Sequence, residues 1–197
     1  MAQAHLVEAA RIQAQSLAIP DSIETERMRL VASSAGNAEE TLQAALDSAA
    51  ELAAWMPWAY PAPTREGITT YHQSVEARRA ARELLDFQWY DKATGRLVGK
   101  GGFHSFNWMV PRGELGYWLR TSMTGKGLCV EAVLAMTEFS RQHLGLSRLE
   151  IRTDPRNAAS RRVAERCGFA LDGILRSDMR DPAGNLRDTC VYGKVLG

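Results

Sequence analysis

The spacing of apolar residues predicts an alternation of helices and strands along most of the chain. Apolar residues recur three and four positions apart in some segments, as in amphipathic helices, and form short alternating or continuous runs in others, as in strands. The predicted helices span residues 2–17, 37–56, 64–82, 127–144 and 158–167. The predicted strands span 26–31, 84–90, 96–106, 114–120, 148–153, 169–177 and 186–195. This order predicts an α/β architecture in the broad sense, an α+β mixed sheet flanked by helices.

The first 22 residues differ from the rest because their predicted helix precedes any strand and Pro20 follows it. We expect residues 1–22 to form a helical extension that packs on the domain or on a partner subunit, or that is partly disordered. The remaining residues, 23–197, suffice for one domain. Glu8 and Arg11 interrupt the apolar residues of the extension, which argues against a signal peptide or a membrane span.

Charge and cysteine content exclude several functions. The chain has 24 Lys and Arg against 23 Asp and Glu, so a broad basic face for direct nucleic-acid binding is not expected. Cys129, Cys167 and Cys190 lie far apart, without the spacing of a zinc site or a disulfide framework. We therefore expect a cytoplasmic protein without a metal ion and without a membrane or nucleic-acid partner.

A strand-to-helix turn at residues 121–128 is a candidate anion site. Gly125 and Gly127 allow successive backbone N–H groups to point into one concavity, and the following helix adds unpaired donors and partial positive charge. Lys126 adds a full charge. A phosphate or pyrophosphate fits such a site best, and an ordinary tight turn is the alternative. Val130 occupies the third glycine position of the dinucleotide fingerprint, and no Walker A lysine pattern is present.

A second candidate follows the strand at 148–153. Pro155 forces a turn, Asn157 can cap the next helix, and Ser160 is the third residue of that helix. Taken alone, Asn157 is explained by capping and Ser160 by an exposed hydroxyl.

The order and spacing of these segments resemble the GNAT acetyltransferase superfamily, in its RimJ/RimL-like branch of ribosomal-protein N-terminal acetyltransferases. The resemblance covers residues 24–196. It is carried by the glycine turn 122–127, by Asn157-x-x-Ser160 followed by Gly168-Phe169, and by the opening segment 24–30. The first position of the glycine motif, Arg or Gln in the family, is Ser122 here.

The resemblance implies the GNAT fold, acetyl-CoA as cofactor, and direct acetyl transfer to an amine in a ternary complex. In this family one central strand splays from the next, and pantetheine lies in the wedge. Backbone N–H groups near Leu119 would stabilise the thioester oxygen. The residues expected to contact the coenzyme are Leu119, Thr121, Ser122, Thr124, Gly125, Lys126, Gly127, Leu128, Asn157 and Ser160.

Acid and base candidates also follow from the resemblance. Ser160 would protonate the departing thiolate, and Glu114 or Glu150 would accept the amine proton, directly or through water. Both carboxylates could instead be ordinary strand residues. Met179 takes the place where some relatives carry a further carboxylate, so the identity of the base stays open.

The acceptor side is expected to involve Trp55, Trp58, Glu114 and Tyr117. Tryptophans in the Pro-interrupted loop after the predicted helix 37–56 would form a wall for a peptide N-terminus, with plain core packing as the alternative. The favoured acceptor is the α-amine of a protein or peptide, ribosomal by resemblance. A small amine (antibiotic, amino acid or polyamine) and a non-catalytic acyl-CoA-binding sensor are the alternatives. Whether the chain forms a homodimer stays open.

Overall fold

Eight strands form one sheet in the computed structural model, which describes residues 2–181 and 183–197. The sheet order is β1-β2-β3-β4-β5-β6-β8-β7, and every neighbouring pair is antiparallel except β5 and β6. The strands are β1 (Ser22–Glu24), β2 (Met28–Ala32), β3 (Leu85–Asp91), β4 (Leu97–Asn107), β5 (Arg112–Leu119), β6 (Arg148–Thr153), β7 (Ala170–Arg180) and β8 (Leu186–Val195).

Six α-helices in the described residues accompany the sheet. They are α1 (Ala2–Gln15), α2 (Ala38–Leu46), α3 (Ala49–Leu52), α4 (Arg65–Ala80), α5 (Leu128–Phe139) and α6 (Ala158–Arg166). Short 3-10 turns lie at Ala35–Asn37, Pro57–Ala59 and Thr121–Met123, and a π turn at Ser140–Leu144 extends α5. The predicted mixed sheet flanked by helices is confirmed.

The helices cover both faces of the sheet. Phe87 on β3 packs edge-on against Phe139 of α5, with ring centroids 5.6 Å apart. The next residue, Gln88, donates a hydrogen bond to the hydroxyl of Thr41 on α2. Because successive strand residues point to opposite faces, α5 and α2 lie on opposite sides of the sheet. The main apolar core lies on the α5 side.

Two sequence predictions differ from the structure. The helix predicted over 37–56 is interrupted after α2, where Asp47 pairs with Arg120 and the hydroxyl of Ser48 accepts the N–H of Thr121. These contacts come from distant residues, so helical periodicity could not reveal them. The strand predicted at 26–31 pairs with a three-residue strand, β1, that the sequence analysis did not predict. Three residues are too few to give a period-2 signal.

The glycines of β4 permit a close approach between strands. A Cβ atom on Gly101 would overlap the ring of Trp89, and the β3–β4 register shifts between Trp89 and Tyr90. A close backbone approach and a register shift thus occur together at these glycines.

The described part of α1 is attached to the domain by its carboxyl end. The guanidinium of Arg82 donates to the carbonyls of Ala14, Gln15 and Leu17. Ala14 is buried, and the chain continues directly into β1 at Ser22. A cation at these carbonyls satisfies acceptors that a helix end leaves without partners. The division at residue 22 stays a prediction.

Three further observations concern only the described residues. None of the helices is both long and apolar enough to cross a bilayer. No cluster of three or more metal-ligating side chains is found. Cys129, Cys167 and Cys190 are free thiols.

Candidate active site

The two parallel strands at the centre of the sheet diverge. β5 and β6 pair from Arg112 opposite Arg148 to Glu114 opposite Glu150, and β5 then continues to Leu119 without a partner on β6. On its other side, β5 stays paired with β4 up to Leu119. The result is a wedge that opens toward the carboxyl ends of the parallel strands, as the resemblance implied.

A backbone N–H of β5 points into this wedge. Arg120 donates its N–H to the carbonyl of Val98 on β4, at 2.9 Å, and so this N–H faces β4. Since successive N–H groups of a strand point to alternate sides, the N–H of Leu119 is directed away from β4. Its direction suits the oxyanion role expected for it.

A cavity of about 1060 Å³ lies between the β4–β5–β6 region and the loop that precedes α4. Its wall includes the predicted residues Trp55, Trp58, Glu114, Tyr117 and Ser160. The structure therefore brings both acceptor-side tryptophans, one of the two proposed bases and the proposed acid to one cavity. This cavity wall does not include residues 119–128 of the glycine turn.

Tryptophan side chains form an aromatic part of the wall. The ring centroids of Trp58 and Trp118 are 5.7 Å apart, with planes inclined by 52°. Trp58 remains 43% exposed, so packing with other core residues does not account for its position. The sequence analysis did not predict Trp118 as a site residue. Trp118 lies four residues after Glu114 on β5, so the period of two in a strand places both side chains on the same face of the sheet.

The carboxylate of Glu114 lies in the cavity wall with its side chain 22% exposed. Burial raises its pKa, the charges of Glu150 and Asp178 raise it further, and Arg152 opposes them. The only titratable side chain within ion-pair distance of it among the described residues is His104, with 4.0 Å between Nε2 and Oε1. Burial and Arg78 lower the pKa of His104, which keeps it neutral near pH 7. A carboxylate of raised pKa in a cavity is suited to accepting a proton.

Glu150 is placed differently from Glu114. Its carboxylate accepts from Arg148 Nε at 3.0 Å and pairs with Arg112 Nη1 at 3.4 Å. It is not part of the cavity wall. Two guanidinium groups hold this carboxylate outside the cavity, so the structure favours Glu114 over Glu150 as the base.

Ser160 and Tyr117 meet at the wedge. The phenolic oxygen of Tyr117 lies 3.3 Å from both the hydroxyl and the carbonyl oxygen of Ser160. Burial raises the pKa of Tyr117, so the phenol stays protonated and remains a donor. Tyr117, expected as an acceptor contact, thus also contacts the proposed acid.

Asn157 caps α6 as the sequence indicated. Its side-chain oxygen accepts the N–H of Ser160 at 3.0 Å. Across the described residues, no protein acceptor is recorded for its side-chain NH₂ group. Capping thus uses only one side of the amide, and the other side can bind a ligand carbonyl.

The glycine turn has the backbone conformation that the anion-site interpretation requires. Gly125 and Gly127 have φ of 74° and 78°, in the left-handed region that favours glycine. Within residues 2–181 and 183–197, no acceptor is recorded for the backbone N–H groups from Gly125 to Val130. Lys126 is exposed beside them. These donors can bind a phosphate group.

Some residues predicted to contact a cofactor already use their hydrogen-bond donors within the protein. The N–H of Thr121 donates to the Ser48 hydroxyl at 3.1 Å. Thr124 donates both its N–H and its hydroxyl to the carbonyl of Thr121. The side chain of Leu128 is buried in the core, which leaves only its backbone N–H for a ligand. The coenzyme contacts expected of Thr121 and Thr124 stay predictions.

The turn is anchored by a contact that sequence reasoning missed. Glu131 in the first turn of α5 accepts from the Thr25 hydroxyl at 2.6 Å, the Arg27 N–H at 2.8 Å and Arg27 Nε at 2.6 Å. Burial alone would raise the pKa of Glu131, but these bonds lower it. Arg27 also donates to the carbonyl of Lys126. The β1–β2 turn thus fixes the start of α5.

A buried polar cluster lies beside the cavity, and two of its members, Lys100 and Asp86, line the wall. Lys100 Nζ lies 2.7 Å from Asp86 Oδ2 and 3.1 Å from His72 Nε2. His72 Nδ1 lies 2.7 Å from the carbonyl oxygen of Ser34, so Nδ1 carries the proton and Nε2 accepts from Lys100. Burial and the charge of Lys100 lower the pKa of His72. No local pattern in the sequence indicates this cluster.

Comparison with known proteins agrees with the fold. The acetyltransferase (GNAT) domain model matches residues 27–170. Probable N-acetyltransferase YjcK of Bacillus subtilis is 31% identical over 117 residues, which cover 59% of this chain and 62% of that relative. The ribosomal-protein-serine acetyltransferase of Escherichia coli is 37% identical over 80 residues, or 41% of this chain and 45% of that enzyme. A solved structure of RimL, the ribosomal L7/L12 α-N-protein acetyltransferase in complex with coenzyme A, superposes with a TM-score of 0.83 at 19% identity, covering 89% of this chain and 98% of RimL.

The chain therefore belongs to the GNAT acetyltransferase family. The resemblance to its RimJ/RimL-like branch is confirmed, and so is the GNAT fold. The matched stretch spans less than two thirds of YjcK.

Proposed function

We propose that this chain is an N-acetyltransferase that moves acetyl from acetyl-CoA to a primary amine by direct transfer in a ternary complex. The favoured acceptor is the N-terminal α-amine of a protein or peptide, of the ribosomal-protein type. The observation that carries the proposal is the convergence of Glu114, Tyr117 and Ser160 on one cavity beside the β5–β6 wedge. We also propose that residues 23–197 form the catalytic domain, residues 1–22 a helical extension, and that the protein acts in the cytoplasm.

The free donors of the glycine turn fit the diphosphate of coenzyme A. Backbone N–H groups from Gly125 to Val130 and the exposed Lys126 would bind the anion. The free NH₂ group of Asn157 suits a pantetheine carbonyl. Coenzyme A is the ligand in the RimL structure, whose fold this chain shares.

The chain's own groups account for the proton transfers. Bound acetyl-CoA would supply an activated thioester acyl group. Glu114 would remove a proton from the acceptor ammonium, since its raised pKa brings it closer to that task at neutral pH. The N–H of Leu119 would stabilise negative charge on the thioester oxygen. Ser160, supported by the hydroxyl of Tyr117, would protonate the departing sulfur.

The acceptor assignment rests on the aromatic wall and on one relative. Trp55, Trp58 and Trp118 offer flat apolar surface to the first residues of a peptide, while Glu114 attracts its cationic amine. The E. coli relative is named for a ribosomal-protein serine. These features favour a peptide N-terminus over a polycation, because the cavity wall carries arginines as well as acids.

The proposal is tested by measuring thiol release from acetyl-CoA against N-terminal peptides and small amines. We expect release with at least one peptide, and a large loss of rate in Glu114→Gln but not in Glu150→Gln, the matched control on the neighbouring strand. Binding of acetyl-CoA without thiol release from any acceptor would instead support the sensor alternative. Absence of acetyl-CoA binding would refute the proposal entirely.

A further inference from the structure

Most charged side chains in the cavity wall have an opposite charge close by. Lys100 pairs with Asp86 at 2.7 Å. Arg152 pairs with Asp178 at 2.8 Å. Two lining residues, Glu114 and Arg187, lack such a partner within hydrogen-bond distance among the described residues. The cavity wall thus contains one acidic and one basic side chain that have no close ion-pair partner among the described residues.

Arg187, on β8, is held in the wall with few contacts. Its side chain is 12% exposed, and its Nη1 is buried without a hydrogen-bond partner in the described structure. Nη1 lies 4.0 Å from Asp154 Oδ2, which is too long for a hydrogen bond, and Nη2 contacts the sulfur of Met179 at 3.5 Å. A guanidinium so buried loses hydration that weak contacts do not replace.

Asp154 does not compensate Arg187 because it is already engaged by Arg156. Arg156 Nη2 lies 2.7 Å from Asp154 Oδ2, and Arg156 Nε lies 3.0 Å from Oδ1, a two-point interaction. These bonds lower the pKa of Asp154. The carboxylate nearest to Arg187 is therefore bound mainly to another arginine, and the donors of Arg187 remain available.

A second polar group without a hydrogen-bond partner among the described residues lies on the same face of β8 as Arg187. Thr189 is two residues from Arg187 on β8, lines the same cavity and is 1% exposed. Its hydroxyl has no hydrogen-bond partner in the described part of the chain. A forked guanidinium beside a hydroxyl is a donor set that suits a carboxylate or a phosphate.

We propose that Arg187, with Thr189, binds an anionic group of the acceptor, so that the preferred substrate is an amine that also carries a carboxylate or phosphate. This inference rests on the proposed acetyl transfer and narrows its substrate class. Glu114 attracts the amine, and Arg187 attracts the anion, so the wall complements both charges of a zwitterionic acceptor. An acidic side chain near a peptide N-terminus and the carboxylate of a free amino acid share this chemistry.

Matched acceptor pairs test the inference in the unmodified protein. Thiol release is measured for peptides with Glu or Gln at the second position, for phosphoserine or serine there, and for free amino acids against their amides. We expect kcat/KM to be about 10- to 100-fold higher for the anionic member of at least one pair. The pair with the largest ratio distinguishes peptide side chain, phosphate and free carboxylate.

Variants then assign the preference to the two residues. Arg187→Gln should raise KM for the anionic acceptor and leave its neutral partner unchanged, while Arg187→Lys should retain part of the preference. Thr189→Val should reduce the preference less. Arg96→Gln, which removes an exposed charge from the β3–β4 turn, should change neither. Thermal unfolding of each variant shows whether the fold is intact.

The outcomes separate this inference from the proposed function. Equal kcat/KM within every pair, or an unchanged preference in Arg187→Gln, overturns the anion subsite while acetyl transfer stands. A panel in which no acceptor is acetylated overturns both. If Arg187 variants do not fold, the matched pairs and Thr189→Val still decide the question.

Discussion

The hydroxyl of Tyr117 lies 3.3 Å from the hydroxyl of Ser160, although the two residues are 43 positions apart in the sequence. The contact joins β5 to the first turn of α6 across the opening between β5 and β6. Because the phenol of Tyr117 is buried and stays protonated, it can donate to Ser160 when that serine gives up its proton. In the proposed reaction the pair would therefore act as a short proton path rather than as one isolated donor.

Ser160→Ala should lower kcat about 100-fold or more, since a positioned general acid contributes at least that much. Acetyl-CoA affinity, measured by calorimetry, should change little. Ser16→Ala, at an exposed residue just after α1, is the matched control and should leave kcat unchanged. Normal turnover in Ser160→Ala would mean that solvent or Tyr117 alone protonates the thiolate.

Tyr117→Phe should lower kcat less than Ser160→Ala, and the double variant should lose less than the product of the two separate losses. Residues that act as one unit are not additive. The measurement is a double-mutant cycle on kcat. Fully additive effects would show that the two hydroxyls act independently.

The pH dependence of kcat/KM should report Glu114. A base must be deprotonated to act, so the rate rises with pH as the carboxyl loses its proton, and burial moves this rise above the ordinary pKa of 4.5. Glu114→Gln should abolish this acidic limb as well as lowering the rate. Glu150→Gln should retain it. Persistence of the limb in Glu114→Gln would assign it to another group.

Acidification should destabilise the fold through its buried histidine. The pKa of His72 in the folded protein is lowered from 6.5 by burial and Lys100, so the unfolded chain binds more protons below that value. The free energy of unfolding must then fall as pH drops through about 6.5. His72→Gln should flatten this dependence in urea unfolding measured from pH 7.5 to 5. An unchanged slope would show that His72 does not carry it.

Gly125→Val should abolish or strongly weaken acetyl-CoA binding in calorimetry. Gly125 has φ of 74° with open space around it, so the valine is disfavoured by backbone strain rather than by collision. Gly95→Val is the matched control, because Gly95 has φ of 67° and equal space in the β3–β4 turn. Both should lose similar stability, and only the first should lose coenzyme affinity. Equal affinities would exclude the turn as the binding site.

Glu131→Gln should lower both stability and coenzyme affinity. It removes charge-assisted bonds from Thr25 and Arg27, worth about 1.5 to 3 kcal/mol. The turn before α5 then loses its anchor. Glu138→Gln, which removes an exposed ion pair with Arg141 at the far end of α5, should have a smaller effect on both. A Glu131→Gln protein with unchanged affinity would show that the turn holds its shape alone.

The features that the sequence could predict are those encoded locally. Apolar spacing located α4, α5 and α6 within a few residues, and the capping role of Asn157 follows from its position before α6. The segment that carries Glu114 and Tyr117 was recognisable because strand and turn signals adjoin each other.

What the sequence could not predict depends on residues far apart in the chain. Arg27 and Glu131 are separated by 104 positions, and only folding shows that they meet. Glu114 and Glu150 look equivalent as strand carboxylates until Arg112 and Arg148 are seen beside one of them. Arg187 lacks a close carboxylate partner because Asp154 is hydrogen-bonded to Arg156 instead, and no local sequence pattern predicts which arginine Asp154 binds.

Arg82 adopts a positive φ of 59° and contacts two parts of the molecule that are distant from it in the sequence. Its guanidinium donates to the end of α1, and its own carbonyl accepts the indole N–H of Trp108 beyond β4. One residue therefore couples the leading helix to the β4–β5 connection. Deleting the residues before β1 would remove the acceptors of the Arg82 guanidinium. The shortened protein should therefore be more mobile around Trp108, far in the sequence from the deleted residues.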